Sequence, residues 1–275
     1  MTSPALQEIV ALLGCPAAGH PAQYLYDGAL AGAGLDWRFL TLDVPIERAG
    51  DALRGADAMG FRGCVLSGPL RAAAPSHLHA VSPTARFAGA VSLVERQPEG
   101  LVGHMTDGRG LLETLRAHCD PAGERVLLVG AGAAARAAAL ELSLARAAEI
   151  LVCNRTAERA EELVAALAGI DGAPASVLPW GGEIAIPEQV GIVVVAVPAE
   201  AGLRFAEVRR NLVVADFALV PQPSPVVCAA QRQGACTIDG LEIHCATTAI
   251  DFQTWTGIEP DTDLLRERLD EFLNA

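Results

Sequence analysis

The chain has 275 residues, 51% hydrophobic and 19% charged, enough apolar material for one large domain or two ordinary ones, which excludes a disordered chain. Its 33 acidic side chains outnumber its 20 basic ones for a net charge of -13, which excludes a protein that tracks phosphate backbones, so no nucleic-acid partner is expected. Every basic residue is an arginine, and a chain without lysine has no lysine Schiff base, P-loop lysine or lysine general acid.

Met1-Thr2-Ser3-Pro4 lacks the charged start of a secretory leader, and no apolar run reaches the roughly 20 residues of a membrane span. A cytoplasmic chain with no membrane partner is expected. Seven scattered cysteines without a Cys-x-x-Cys pair read as small core residues. The histidines lack ligand spacing, so no metal site is expected.

In chain order, Arg38 to Leu42 reads as a strand and Pro45 to Met59 as a helix with proline in its first turn. Gly63 to Ser67 is a second strand, ended by Gly68-Pro69. These pieces make a small α/β unit. Val126 to Val129 and Ile150 to Cys153 flank a long Ala/Leu-rich helix, and further strands fall at Ile192 to Val195 and Leu212 to Ala215. They are continuous apolar runs, as parallel strands buried on both faces require. The last helices run from Ile243 to Thr256 and from Thr262 to Leu273, parted by Gly257-Ile258-Glu259-Pro260. The expected fold is therefore α/β: an N-terminal α/β substrate domain (1–106 and 243–275) and a Rossmann doubly wound parallel sheet (107–242), with the C-terminal helices returning to the first domain.

Gly130-Ala131-Gly132-Ala133-Ala134-Ala135 lies directly between a strand and a helix. In such a G-x-G-x-x-A turn the first glycine permits the tight bend and the second lets the backbone approach a pyrophosphate. The small Ala135 lets the helix lie close to the sheet, with its first N–H groups aimed at phosphate. Gly130, Gly132, Ala133 and Ala135 therefore stand as cofactor-binding residues. At the end of the next strand an NAD site carries a carboxylate, whereas this chain has Asn154-Arg155-Thr156-Ala157-Glu158-Arg159. Two guanidiniums, with the Asn154 and Thr156 side chains, suit a 2′-phosphate, so NADP is the expected cofactor. The competing reading makes Arg159 part of a solvated helix face.

These stretches resemble the shikimate dehydrogenase family, over most of the chain. The Gly130 to Arg159 segment is similar to its NADP site. Gly89-Ala90-Val91, Thr106-Asp107-Gly108-Arg109-Gly110, the loop from Asp216 through Pro221 to Ser224-Pro225, and Gly240-Leu241 through Phe252 to Trp255-Thr256-Gly257 resemble other family segments. The resemblance implies an NADP-dependent dehydrogenase of aromatic amino acid biosynthesis in which a lysine and an aspartate flank the reacting hydroxyl. Asp107 matches that aspartate, and Arg71 stands where the lysine is expected. Arginine keeps its proton at ordinary pH, so Arg71 orients and polarises an oxygen and Asp107 is first choice for the proton.

The substrate positions depart further from the family pattern. His20 and Ala22 stand for its two serines, Ser67 for a threonine, Ser92 and Met105 for asparagines, Leu219 for a tyrosine and Thr247 for a glutamine. His20, Ser67, Ser92, Thr247 and His244 remain as substrate-binding candidates. His20 and His244 also qualify as acid/base groups, because an ordinary histidine titrates near neutrality. A pocket that loses hydrogen-bonding groups binds a polyhydroxy ring poorly. Two readings follow. One is an NADP-dependent oxidoreductase interconverting a secondary alcohol and a ketone on a small carboxylated substrate, with shikimate itself disfavoured by the altered positions. The other is a catalytically silent NADP(H)- or metabolite-binding relative. A homodimer is left open.

Overall fold

The computed structural model describes residues 7–274; Met1 to Pro4, read above for the missing leader, lie outside them. The chain divides into two compact units, one comprising residues up to Thr106 and from Thr248 onward, the other Asp107–Thr247.

The first unit holds a mixed six-stranded sheet of β1 (Ile9–Gly14), β2 (Arg38–Asp43), β3 (Gly63–Leu66), β4 (Ala80–Val81), β5 (Leu93–Gln97) and β6 (Gly100–His104), in the order β2-β1-β3-β5-β6-β4. Strands β1, β2 and β3 run parallel and β5 turns antiparallel to β3. The helices are α1 (Ala22–Gly32), α2 (Ala49–Ala58), the single turn α3 (Leu70–Ala73) and α4 (Pro83–Ala88). The helix expected from Pro45 opens as a 3-10 turn at Ile46–Arg48 before α2 begins. Strand β2 is an edge, and Leu40 and Leu42 on one of its faces are each 36% exposed.

The second unit is an all-parallel sheet of β7 (Arg125–Val129), β8 (Glu149–Cys153), β9 (Ala175–Val177), β10 (Val190–Val195), β11 (Val213–Asp216) and β12 (Cys236–Ile238). Its order, β12-β11-β10-β7-β8-β9, is the doubly wound one, with the reversal between β7 and β10. Val126 to Val129 and Ile192 to Val194 are almost wholly buried, because helices cover both faces. Those helices are α5 (Asp107–His118), α6 (Ala133–Leu144), α7 (Ala157–Leu167) and α8 (Pro225–Arg232). Small residues bring α5 and α6 together: a methyl on Gly108 would lie 2.4 Å from the Ala137 backbone.

The long α9 (Gly240–Thr256) and α10 (Thr262–Asn274) complete the chain. Sequence places the return to the first unit at 243, whereas the division falls at Thr247/Thr248, within the unbroken α9. The return is anchored by Trp255, whose indole N–H donates to the Val94 carbonyl at 3.0 Å. Gly63 makes room for it, since a Cβ there would meet the indole nitrogen at 2.2 Å. Helix α10 packs on α1, where Tyr24 donates to Glu271 and lies beneath the Arg268 guanidinium. No described helix is long and apolar enough to cross a membrane.

Candidate functional site

The second unit carries a cavity of about 400 Å³ at the carboxyl ends of β7 and β10, where the strand order reverses. Gly130 to Gly132 and Ala196 to Pro198 form its floor, and Asn154, Arg155, Thr156 and Arg159 form one wall. Gly130 has φ +124°, and a Cβ on it would stand 2.5 Å from the Ala196 carbonyl oxygen, so only glycine fits. Gly132 precedes the first turn of α6 with nothing within 4 Å of where a side chain would project. The helix therefore presents its first N–H groups to open space, as a pyrophosphate requires. Ala135 is fully buried, where the sequence reading puts the close helix contact.

Asn154 donates its side-chain amide to the Thr156 carbonyl at 2.8 Å and so shapes the loop after β8. Arg155 and Arg159 are exposed at the cavity, and among the described residues neither guanidinium has an ion pair or hydrogen bond. They are poised for an anion. Trp180, beyond the short β9, also lines this cavity and was invisible to a reading that found no strand there. An aromatic residue just past a strand's carboxyl end was the available signal. Glu200 adds one carboxylate to the rim. The open helix start, the side-chain-free turn and the two unpaired guanidiniums fit a phosphorylated dinucleotide.

In the first unit the polar residues gather at the carboxyl ends of β1 and β3 and the adjoining start of β5. His20 follows β1, Ser67 and Arg71 follow β3, Ser92 precedes β5 and Thr106 follows β6. Arg71 donates from Nε to the Leu66 carbonyl at 2.8 Å, which fixes the root of the guanidinium. The His20 Nδ1 accepts from the Ala22 amide at 3.2 Å. Burial, reinforced by the Arg71 charge, lowers its pKa to about 4. His20 is consequently neutral at ordinary pH, with its proton on Nε2. The expectation of a histidine titrating near neutrality is corrected at this position, because desolvation and a neighbouring cation both oppose the imidazolium.

Ser92 is 3% exposed and tied inward. Its oxygen accepts from the Thr106 amide at 2.9 Å and pairs with the Thr106 hydroxyl at 3.0 Å. Thr106 donates in turn to Asp251 Oδ1 at 2.7 Å, and the Tyr26 hydroxyl donates to Oδ2 at 3.1 Å. Because Thr106 spends its proton on the carboxylate, Ser92 donates to Thr106 and keeps only a lone pair. Burial, followed by the Asp251 charge, raises the Tyr26 pKa well above the usual phenol range, and Arg71 opposes the rise. Tyr26, Thr106 and Asp251 were not among the site residues read from the sequence, although Thr106 and Asp251 lie in segments that resemble the family. Asp251 lies four residues beyond Thr247 on α9, a spacing that puts both on one helical face.

The remaining candidates lie in the second unit. Asp107 is buried and opens α5. Thr247 donates to the Ile243 carbonyl at 2.9 Å and packs on Gly110, where a Cβ would meet its hydroxyl at 2.2 Å. Its proton is thus committed to its own helix. His244 lies half-buried on the same helix. Asp216 accepts from Ser224 at 2.5 Å and from the Ala218 amide, while Ser224 caps α8. Burial raises the Asp216 pKa against those hydrogen bonds. This pair folds its loop.

Comparison with known proteins agrees with the geometry. The family profile described as shikimate dehydrogenase substrate binding domain matches residues 16–94, and that of shikimate / quinate 5-dehydrogenase matches residues 114–200. The shikimate dehydrogenase (NADP(+)) of Moorella thermoacetica is 34% identical over 97% of this chain and 94% of its own length. The ligand-free 5-ketofructose reductase of Gluconobacter sp. strain CHM43 superimposes with TM-score 0.91 at 31% identity, covering 97% of this chain and 99% of that one. The Thermus thermophilus shikimate 5-dehydrogenase in complex with NADP(H) and shikimate gives TM-score 0.81 at 28% identity, over 97% and 100% of the two chains. By identity, by coverage and by both of its units, this chain belongs to the shikimate dehydrogenase family.

Proposed function

We propose that the chain is an NADP(H)-dependent oxidoreductase that interconverts a secondary alcohol and a ketone on a small carboxylated substrate other than shikimate. The observation that carries the substrate assignment is Arg71, a fixed cation where the family resemblance leads one to expect a lysine. The NADP(+)-dependent Moorella relative and the exposed Arg155 and Arg159 support the cofactor.

Gly130, Gly132 and Ala133 would hold the pyrophosphate through backbone N–H groups, with Arg155 and Arg159 on the 2′-phosphate beside Asn154 and Thr156. The bound nicotinamide supplies hydride exchange with the substrate carbon. Asp107 accepts the hydroxyl proton in oxidation and returns it in reduction. Arg71 pairs with a carboxylate or polarises an oxygen but keeps its own proton. His20, neutral with its proton on Nε2, donates a hydrogen bond and does not act as a general acid near neutrality.

A second reading, an uncharged hydroxylated ketone, is favoured by the likeness to the Gluconobacter 5-ketofructose reductase and by the buried Asp251 carboxyl, whose charge acts on Tyr26 against that of Arg71. The test follows the nicotinamide absorbance with shikimate, quinate, linear hydroxy acids and their ketones, fructose and 5-ketofructose. Turnover on a hydroxy acid other than shikimate, lost in Asp107→Asn, supports the first reading. Turnover on the ketoses alone selects the second. Shikimate as the fastest substrate overturns the exclusion of shikimate. Tight NADPH binding with no turnover at all selects the silent relative.

A further inference from the structure

The residues assigned to cofactor and substrate leave one reactive cluster unused. His118 ends α5, Cys119 follows it, Cys236 opens β12 and Glu242 lies in the first turn of α9. His118 Nε2 and Glu242 Oε1 are 2.8 Å apart, and Cys236 Sγ is 3.6 Å from His118 Nδ1. Since the carboxylate accepts the Nε2 proton, Nδ1 is left as an acceptor and the Cys236 thiol donates to it. A nucleophile, a base and a carboxylate that orients the base are the three parts of general-base activation.

Among the described residues, Cys64, Cys153 and Cys228 lack these parts. Cys64 and Cys153 are buried, and burial pushes them up to about 12 and about 11. Cys228 donates to the Pro223 carbonyl, which takes no proton. Cys236 is exposed, and partial desolvation with the Glu242 charge keeps it protonated at rest. Cys119, next to His118 in sequence, feels the Cys236 charge, which adds to desolvation in raising its own pKa. No three His, Cys, Asp or Glu side chains among the described residues are placed to hold a metal ion.

We propose that Cys236 and Cys119 form a hydroperoxide-reactive dithiol, with His118 as the base and Glu242 positioning it. His118 Nδ1 takes the Cys236 proton as Sγ attacks a hydroperoxide. An S–O bond forms, the O–O bond breaks, and the departing oxygen takes the imidazolium proton to leave as water or an alcohol. Cys119 then loses its proton and attacks the sulfenic sulfur. An S–S bond forms, the S–O bond breaks, and hydroxide leaves with that proton as water. Two thiols are oxidised to one disulfide as one hydroperoxide is reduced.

The test treats the reduced full-length protein with equimolar hydrogen peroxide at neutral pH and maps its cysteines by mass spectrometry over time. Cys236 is expected to react about tenfold faster than Cys15 and Cys228 and to end in a disulfide with Cys119. Cys119→Ser should leave Cys236 as a sulfenic acid that dimedone traps. His118→Phe should slow Cys236 at least about tenfold, and Glu242→Gln should slow it less, with NADPH binding retained in each. Equal reactivity of Cys236, Cys15 and Cys228 overturns the proposal, and so does an unchanged rate in His118→Phe. A sulfenic acid that persists in the unsubstituted protein overturns the role of Cys119. The ranking of thiols in the unsubstituted chain decides the matter if His118→Phe fails to fold.

Discussion

The two halves of the molecule present polar groups in opposite ways. The cofactor cavity is walled by backbone and by exposed arginines on the loop after β8 and the first turn of α7, whereas the polar residues of the first unit are buried and hydrogen-bonded in a chain from Ser92 to Tyr26. Backbone N–H groups recognise a phosphate whatever side chains surround them, so such a site survives extensive drift. A buried chain of hydroxyls around one carboxyl fixes the direction of every hydrogen bond, and one substitution reverses or empties it. That contrast sets a cofactor site built from local spacing against a first unit whose polar groups depend on one another across the chain.

The sharpest way to break this contrast is at Asp107, to which the proposed function gives turnover and not the cofactor. Asp107→Asn should lower kcat about 1000-fold with NADPH affinity unchanged, measured by steady-state kinetics beside a binding titration. If the two fall together, Asp107 belongs to the fold of α5. In the buried half, Asp251→Ala leaves the Tyr26 and Thr106 hydroxyls without their acceptor, at a cost of about 3 kcal/mol in a denaturant melt. A loss under 1 kcal/mol would mean that the chain of hydroxyls simply rearranges.

In the exposed half, Arg155→Ala should weaken NADPH binding about tenfold to a hundredfold, leave NADH binding unmoved and spare stability. Equal losses for both nucleotides would place Arg155 on another part of the cofactor. The smallest effect concerns pH. His20 is held near 4 in the fold and returns to its ordinary value on unfolding. It therefore stabilises fully above pH 6.5, and that stability drains away as pH falls toward 4. After allowance for its partial exposure the loss is about 2 kcal/mol, so the wild type should lose that much more than His20→Gln between pH 7 and pH 4.

How much was legible in the sequence follows the same division. Gly130 to Ala135 and Asn154 to Arg159 are local runs whose chemistry depends on neighbours one to five positions away, so their spacing could be read directly. The buried network could not, because its hydrogen bonds join residues 145 and 225 positions apart. Only the folded sheet brings Thr106 and Tyr26 to Asp251. Two-residue β4 and three-residue β9 were too short to show a period, and Trp180 was lost with β9. The continuous apolar runs of β7, β8 and β10 were legible because burial on both faces removes the need for alternation. Position 71 was legible as an oddity only because the chain lacks lysine altogether.

Trp180 also makes the protein its own optical gauge. Of the three tryptophans, Trp255 is locked against Val94 and Trp37 stacks under Arg62, while Trp180 lines the cofactor cavity. Indole emits where reduced nicotinamides absorb, so energy passing from this ring to a bound dinucleotide would dim its light and brighten the nucleotide's own. Occupancy of the cavity then reads out as colour, without a label and without turnover.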